Sequence, residues 1–345
     1  MNYCYVTLLF SHNDKCDYFE GVILTGLGLR KQKVKYPLIC LVTPDVPHHI
    51  RDIILKIWDK IIEVEYISPQ PILKGILIHN ILDPKYIEKN NSYLKMFTKM
   101  HIFNSEILPF DKILFVDSDL IPLKEFDNIF DKYNTPAGWL EVLYKNKNGS
   151  YSIIWGSHPF KDNQLIPIDY INVEEKPLNI NAGLLLIKPD NNIYNEILSE
   201  LKKDNNFKYM NLDGKIKNYY WCEQSYLTNK FLGKWYYINQ YYNSWVFDKN
   251  KSKSIHMAGF YYLINNKKYY TKSWQVQNIN DNYIDLLSNK IILWGLKEYP
   301  FLKEYIFNKL KILIYDEFIE FKNIDTFYFN LLSKDLQKIY KIKYK

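Results

Sequence analysis

The sequence predicts an α/β fold in which a mostly parallel sheet is covered by helices on both faces. Short apolar segments alternate with helix-like segments along the first part of the chain, as in β-α-β units. These apolar segments are continuous, which is typical of strands buried on both faces. Of the 345 residues, 47% are hydrophobic, which is enough for a large core.

The first part of the chain contains the clearest elements. Strands are predicted at residues 3–10, 38–42 and 61–67, and helices at 19–31 and 46–60. Prolines and weak periodicity then predict a long loop or short broken helices up to residue 92.

A further helix is predicted over residues 93–108, where the apolar side chains fall on one stripe. Lys95 and Lys99 are four residues apart, so we expect them to share a different face of this helix. A short strand at 113–116 follows directly.

The second half of the chain is interrupted by loops between residues 133 and 180. Strands are predicted at 181–189 and 252–257, and helices at 192–203 and 221–231. The pattern changes after Trp274, and the remaining residues look helical and rich in aromatic residues and lysine. We therefore expect an appended C-terminal helical unit.

Composition narrows the class of protein. The net charge is +7 with scattered lysines, which suits an anionic small molecule and gives no indication of nucleic-acid binding. The chain has no segment with the features of a signal peptide and no apolar run of ~20 residues, which predicts a cytoplasmic protein without a transmembrane segment. The cysteines lack CxxC spacing, so we expect reduced thiols at Cys4, Cys16, Cys40 and Cys222.

Two aspartates end an apolar strand in the segment ILFVDSDLIPL, residues 113–123. Residues i and i+2 of an extended chain point the same way, so the carboxylates of Asp117 and Asp119 face one spot at the sheet edge where ligands bind. Two anions there repel each other unless a cation or a proton lies between them. Oxygen ligands favour Mg²⁺ or Mn²⁺, which keep positions open for phosphate oxygens. The pair therefore predicts a metal site that receives a phosphate or diphosphate.

Two other interpretations of the pair stay open. Both aspartates could be ordinary turn residues at a strand end, because a short DxD alone is a weak motif. The pair also resembles the start of phosphatases of the haloacid dehalogenase type, in which the first aspartate is the nucleophile. Here Leu120-Ile121-Pro122 follows in place of Gly-Thr, and the pair lies far from the start of the chain.

Several segments, taken in order, resemble glycogenin and its relatives in glycosyltransferase family 8. They are YVTLLF with Leu8, Tyr18 followed by FEGVILTGLGLRK, FTKMHIF with Lys99, FVDSD, NINAGLLLIKP with Asn181 and Gly183, WCEQSYL with Glu223 and Gln224, and SIHMAGF with His256 and Gly259. The resemblance covers residues 3 to about 274. It implies one Rossmann-like nucleotide-diphospho-sugar transferase domain of the GT-A type at residues 1–275, with a C-terminal helical extension at 276–345.

The resemblance also implies an activity and its residues. It implies a retaining transferase that moves a hexose, with glucose favoured, from a UDP-sugar to a glycan or protein acceptor. Mn²⁺ is the expected metal, with Mg²⁺ as the alternative, and its implied ligands are Asp117, Asp119 and His256. The implied catalytic residues are Lys99, Glu223 and Gln224. The implied UDP-sugar-binding residues are Leu8, Tyr18, Lys99, Asp117, Ser118, Asp119, Asn181, Gly183, Gly259 and Lys272.

The chain departs from the family pattern at three points. Glu223 stands where the family often has aspartate, so its carboxylate reaches one methylene further. The closing Lys-Pro-Trp is matched only by Lys272-Ser273-Trp274, with Lys267 or Lys268 as alternatives. Self-glucosylation does not carry over, because the modified tyrosine has no clear counterpart, whereas a homodimer is compatible with the resemblance. A sugar-nucleotide or glycan-binding protein without turnover stays the main alternative to the enzyme.

Overall fold

The structure is a computed structural model, and part of the chain is described in it. The described residues are 1–11, 16, 18–68, 95–145, 151–154, 160–171, 178–202, 208–210, 216–218, 222–244, 251–256, 260–264, 267–271, 294–295 and 297–302. Gly259, Lys272 and most of the predicted C-terminal extension lie outside them, so the boundary near residue 275 stays a prediction.

The described elements are strands, α-helices and 3₁₀ helices. The strands are β1 Tyr3–Leu9, β2 Leu38–Val42, β3 Lys60–Glu63, β4 Lys112–Val116, β5 Leu120–Pro122, β6 Ala137–Lys145, β7 Tyr151–Ile154, β8 Leu178–Ile187, β9 Lys208–Met210, β10 Ile216–Asn218, β11 Tyr236–Tyr237, β12 Ser254–His256, β13 Phe260–Ile264 and β14 Lys267–Thr271. The α-helices are α1 Phe19–Lys31, α2 His48–Ile54, α3 Asn128–Lys132, α4 Ile168–Ile171, α5 Asn191–Lys202 and α6 Cys222–Lys230. The 3₁₀ helices are Met96–Phe103, Gln240–Tyr242 and Pro300–Leu302.

The central sheet of the described residues has eight strands in the order β11-β6-β8-β4-β1-β2-β3, with β7 beside β6. β1 pairs in parallel with β2 and β4, β2 with β3, and β11 with β6. β8 runs antiparallel between β4 and β6, and β7 is antiparallel to β6. The predicted α/β class with a mostly parallel sheet is confirmed.

Buried side chains form one core on each face of this sheet. Helices α1, α2 and α3 cover one face, and the 3₁₀ helix Met96–Phe103, α5 and α6 cover the other. Strand β1 contributes to both cores, since Tyr3 and Tyr5 face one and Cys4 and Val6 face the other. This double burial explains why the central strands are continuously apolar rather than alternating.

The segment predicted as an α-helix over residues 93–108 forms a 3₁₀ helix at Met96–Phe103. Residues three apart share a side of a 3₁₀ helix, so Lys95 and Lys99, four apart, turn to different sides. Lys95 Nζ lies 4.4 Å from the ring centroid of Tyr66, whereas Lys99 Nζ lies 3.2 Å from Glu223 Oε1. The prediction that both lysines share a face was wrong.

Two further features bear on the predicted elements. Helix α2 is shorter than predicted and begins at His48, directly after Pro47, which is extended. Residues 297–302 pack on the core beside α2, where Lys56 Nζ lies 4.4 Å from the ring centroid of Phe301.

Within the described residues, no helix has the length and apolarity required to cross a membrane. The cytoplasmic location stays a prediction.

Candidate active site

Two aspartate side chains and one histidine side chain come together where β4 ends. Asp117 and Asp119 lie in the turn between β4 and β5. The short strand β5 pairs antiparallel with β12, and this register sets His256 opposite Leu120, next to Asp119. One ligand atom from each of Asp117, Asp119 and His256 lies within 4.8 Å of the others. Two carboxylates and one imidazole form a donor set that fits Mn²⁺.

The turn that carries the aspartates is fixed by helix α1 and strand β8. Thr25 Oγ1 donates to the carbonyl oxygen of Leu120 at 2.9 Å and lies 3.2 Å from that of Ser118. The backbone N–H of Asp117 donates to Gly183 O at 2.8 Å. A Cβ on Gly28 would lie 2.6 Å from the carbonyl oxygen of Pro122, so α1 packs directly against β5. These contacts therefore fix the backbone of the turn that carries the two carboxylates.

Lys99 is a buried ammonium at the centre of the same region, with 2% of its surface exposed. Its Nζ donates to Ala182 O at 3.1 Å and Glu223 Oε1 at 3.2 Å, and lies 3.5 Å from Asp117 Oδ2. The ring centroid of Phe115 lies 4.9 Å from the same nitrogen. A lysine between two carboxylates can neutralise one of them or turn to an incoming anion.

Burial and neighbouring charge shift the pKa values of Lys99 and Glu223 in opposite directions. Burial alone would lower the pKa of Lys99, but the carboxylates of Asp117 and Glu223 outweigh it and raise that pKa above its ordinary value. Burial raises the pKa of the Glu223 carboxyl, and the ammonium of Lys99 opposes this shift. Lys99 is therefore held as a cation by the acids that surround it.

Carboxyl groups outnumber basic groups in the described cluster. Asp117, Asp119 and Glu223 face the ammonium of Lys99 and the imidazole of His256. A divalent cation between Asp117 and Asp119 would relieve the repulsion between their carboxylates. The excess of carboxyl groups and the donor atoms therefore favour the same kind of ion.

The remaining polar residues of the predicted site lie on or beside β8. Asn181 and Gln224 are buried, and Gln224 Oε1 accepts the N–H of Ala182 at 2.9 Å. Gly183 lies directly against His256, because a Cβ at this position would be 2.5 Å from the imidazole Cε1. The glycine thus gives the imidazole of His256 room to approach β8.

Two buried residues of the site were missed from the sequence. Glu141 Oε2 accepts the side-chain N–H groups of Asn181 at 2.8 Å and Gln224 at 3.2 Å. Asn243 Oδ1 lies 2.7 Å from His256 Nδ1. A single acid within the apolar segment AGWLEVLYK was an available signal for Glu141. Asn243 carried no comparable signal, because a lone asparagine after two tyrosines reads as a turn residue.

The residues predicted to hold the nucleotide are distributed along the same edge. Leu8 is buried in β1, Ser118 is buried between the two aspartates, and Tyr18 is 37% exposed just before α1. Gly259 and Lys272 lie outside the described residues.

A second polar group that the sequence did not predict lies beyond β2 and β3. Tyr66 OH donates to Asp45 Oδ2 at 2.7 Å, and Lys95 Nζ donates to Ser11 O at 3.4 Å. Burial alone would raise the pKa of Asp45, but hydrogen bonds from Thr43 and Tyr66 outweigh this effect and lower it. These groups form a polar cluster separate from Asp117, Asp119 and His256.

Comparison with known sequences places most of the chain in one family. The model of glycosyl transferase family 8 matches residues 9–261. Uncharacterized protein R707 of Acanthamoeba polyphaga mimivirus is 28% identical over 243 residues, covering 70% of this chain and 72% of that protein. Galactinol synthase 6 of Arabidopsis thaliana is 28% identical over 209 residues, covering 56% of this chain and 53% of that protein. The match thus spans about half the length of the plant relative.

Comparison with solved structures also finds glycosyltransferases, at low sequence identity. An active-site mutant of LgtC is 10% identical and covers 83% of this chain and 94% of that chain, with a TM-score of 0.46. The glycosyltransferase GlyE of Streptococcus pneumoniae TIGR4 is 14% identical and covers 86% of this chain and 64% of that chain, with a TM-score of 0.45.

Proposed function

The chain belongs to glycosyltransferase family 8, and from this premise we propose that it is an enzyme that transfers a hexose from a UDP-sugar to a glycan or protein acceptor with retention of configuration. The observation that carries the proposal is the convergence of Asp117, Asp119 and His256 within 4.8 Å of one another, beside the buried ammonium of Lys99. This arrangement suits a diphosphate whose charge increases as the sugar leaves.

Asp117, Asp119 and His256 would hold the metal. A bound Mn²⁺ or Mg²⁺ would act as a Lewis acid that neutralises negative charge on the diphosphate. His256 makes Mn²⁺ the better fit, because imidazole is a softer ligand than a carboxylate. The hydroxyl of Thr25 and the carbonyl oxygen of Gly183 fix the backbone of the turn that carries the two carboxylates.

Lys99 would complete the charge balance at the departing diphosphate. Its Nζ already lies between Asp117 and Glu223, so a small displacement would bring it from Asp117 towards a phosphate oxygen. In the transfer the bond from the anomeric carbon to the diphosphate oxygen breaks, and a bond to the acceptor oxygen forms. The acceptor proton passes to the departing diphosphate.

Glu223 and Gln224 would lie at the donor sugar and the acceptor. Glu223 is buried, and its hydrogen bond to Lys99 ties the sugar end of the site to the phosphate end. Gln224 is anchored at both ends of its amide, by Ala182 N and by Glu141. It therefore sets the wall of the sugar pocket more than it moves a proton.

The donor sugar is the finer part of the proposal. The resemblance to glycogenin favours glucose, whereas the plant relatives named galactinol synthases favour galactose. Family membership removes the basis for the phosphatase interpretation, because the DxD pair here belongs to a glycosyltransferase sequence. A sugar-nucleotide-binding protein without turnover stays the alternative that experiment must exclude.

The test is release of UDP from a panel of donors. Purified protein is incubated with UDP-glucose, UDP-galactose, UDP-xylose or UDP-N-acetylglucosamine, with Mn²⁺ or with chelator, and the anomer of any product is determined by NMR. We expect metal-dependent release from one hexose donor and a product of retained configuration. Asp52→Asn, an exposed aspartate on α2, serves as the control for Asp119→Asn. Binding of a UDP-sugar without release under any condition would refute the enzyme and support the binding protein.

A further inference from the structure

A line of buried polar side chains connects Glu141, Asn181 and Asn243 to His256. We propose that this relay holds His256 in the tautomer with its proton on Nδ1, so that the lone pair of Nε2 is directed at the metal position. Glu141, Asn181 and Asn243 are positioning residues in this proposal, since they act through His256. The inference rests on the metal site of the proposed function and deepens it.

Two backbone groups fix the direction of the relay at its start. The N–H of Gly183 can only donate, and it lies 2.9 Å from Asn181 Oδ1, which defines the oxygen of that amide. The amide nitrogen of Asn181 therefore faces Glu141 Oε2, at 2.8 Å. In the same way Ala182 N–H defines Oε1 of Gln224, whose nitrogen then faces Glu141. Each amide has one orientation that satisfies both of its neighbours.

The direction passes from Asn181 to Asn243. Asn181 Oδ1 can only accept, so the Asn243 group that lies 2.8 Å from it is the amide nitrogen. The other end of Asn243 is then its oxygen, which lies 2.7 Å from His256 Nδ1. An amide oxygen has no proton to give, so the proton in this hydrogen bond belongs to Nδ1. A neutral His256 therefore has no proton on Nε2.

The opposite side of the imidazole shows the consequence. His256 Nε2 lies 3.2 Å from Asp119 Oδ1. With the proton on Nδ1, an unprotonated nitrogen and a carboxylate oxygen face each other, and such a pair is unfavourable unless a proton or a metal ion lies between them. The relay thus directs the lone pair of His256 Nε2 and an oxygen of Asp119 at one position, which favours binding of a cation there.

Burial makes the relay effective. The exposed fractions of Glu141, Asn181, Asn243 and His256 are 2%, 3%, 0% and 8%. Water therefore cannot easily replace any of these partners, and breaking one hydrogen bond leaves another buried polar group unsatisfied. Gly183 supports the same geometry, because a Cβ at this position would clash with the imidazole of His256 and with Asn181 Oδ1.

The tautomer is measured directly on the unmodified protein. Two-bond ¹H–¹⁵N NMR of protein labelled at its histidines distinguishes a proton on Nδ1 from one on Nε2, and His256→Gln identifies the signal. We expect His256 to carry its proton on Nδ1 in the metal-free protein at a pH where it is neutral. A proton on Nε2 would overturn the proposal whatever the protein's activity.

Metal affinity tests what the relay does. Mn²⁺ is titrated calorimetrically, with and without UDP, into wild type, Asn243→Leu, Asn243→Asp and Tyr242→Phe. Asn243→Leu removes the acceptor for Nδ1 and is expected to weaken Mn²⁺ binding about 10-fold or more. Asn243→Asp retains an acceptor for Nδ1 and loses the donor to Asn181, so it is expected to bind Mn²⁺ more tightly than Asn243→Leu, even where its thermal stability falls.

Tyr242→Phe is the matched control, because it removes one hydrogen bond, to Asn128, from the adjacent buried residue and leaves the relay intact. Its Mn²⁺ affinity should equal that of wild type. Equal affinities for Asn243→Leu and wild type would refute the relay. A wild type that binds no Mn²⁺ would refute the proposed metal site instead, and the tautomer measurement would still decide the relay.

Discussion

The buried contact between Lys99 and Glu223 gives the most direct test of the site's electrostatics. Lys99→Met keeps the length of the side chain and removes its charge. The change leaves Glu223, 6% exposed, without the ammonium at 3.2 Å that now faces it. Asp117 loses the same partner but is about one-quarter exposed, so water can compensate there.

The expected size of the effect follows from distance and burial. At an effective dielectric constant of about 20, unit charges 3.2 Å apart attract by about 5 kcal/mol, and the cost of removing both charges from water offsets part of this. Removing one partner of a buried pair costs about 3–5 kcal/mol. We expect Lys99→Met to lower the free energy of unfolding by about 3 kcal/mol, and less at low pH, where Glu223 can take up a proton.

The assay is urea denaturation of the metal-free protein in the presence of chelator. The double-mutant cycle consists of wild type, Lys99→Met, Glu223→Gln and the double variant. The double variant should be more stable, by about 1.5 kcal/mol or more, than the sum of the two single losses predicts. Lys112→Met is the control, because its ammonium donates to the carbonyl oxygens of Phe130 and Tyr133. Additivity in the Lys99 cycle would refute the interpretation.

Three further predictions concern the metal ligands and the buried acid. Asp119→Asn should abolish turnover and the rise in melting temperature caused by Mn²⁺ with UDP, while Asp52→Asn retains both. Gly183→Ala should weaken Mn²⁺ binding about 10-fold or more, measured by calorimetry, because its Cβ would displace His256. Burial raises the pKa of the Glu141 carboxyl in the native state. As pH rises, the unfolded chain therefore loses the proton of this carboxyl before the native state does, and the free energy of unfolding falls. Glu141→Gln should show a smaller fall in this free energy from about pH 5 to about pH 7.

Much of the fold could be predicted because it follows from local pattern. The strand at Leu38–Val42 and the helix at Phe19–Lys31 have the predicted bounds, since each is a continuous apolar or helix-periodic segment with clear ends. The three metal-binding candidates could be named because their residue types match a known order of motifs, and the structure brings them together.

The relay could not be predicted, for a physical reason. Glu141 and Asn243 are 102 residues apart, and neither has a chemical signal of its own. They are connected through Asn181 only because the fold brings β6, β8 and the turn after Tyr242 side by side. The burial of Lys99 was equally invisible, because a lysine on a helix is usually exposed. Contacts of this kind depend on tertiary structure, which periodicity does not specify.

The direction of β8 explains why so many polar contacts meet at one point. Strand β8 runs antiparallel to β4 with Val116 opposite Leu184, so residues 181–183 of β8 lie just beyond the end of β4. The register with β6 also shifts there: Gly138 pairs with Leu185 and Trp139 with Asn181, so one step of β6 faces three extra residues of β8.

That irregularity releases backbone groups from the sheet and makes them available to the site. Ala182 N–H goes to Gln224 and its carbonyl oxygen to Lys99, while Gly183 N–H goes to Asn181 and its carbonyl oxygen to Asp117 N. Gly183 O thus continues the pairing with the β4 side, whereas the other three groups bond to side chains in place of a neighbouring strand. The interruption of the sheet at Ala182 and Gly183 therefore links the phosphate end of the site, through Lys99, to the imidazole end, through Asn181. A substitution that restored regular pairing there would disturb both ends at once.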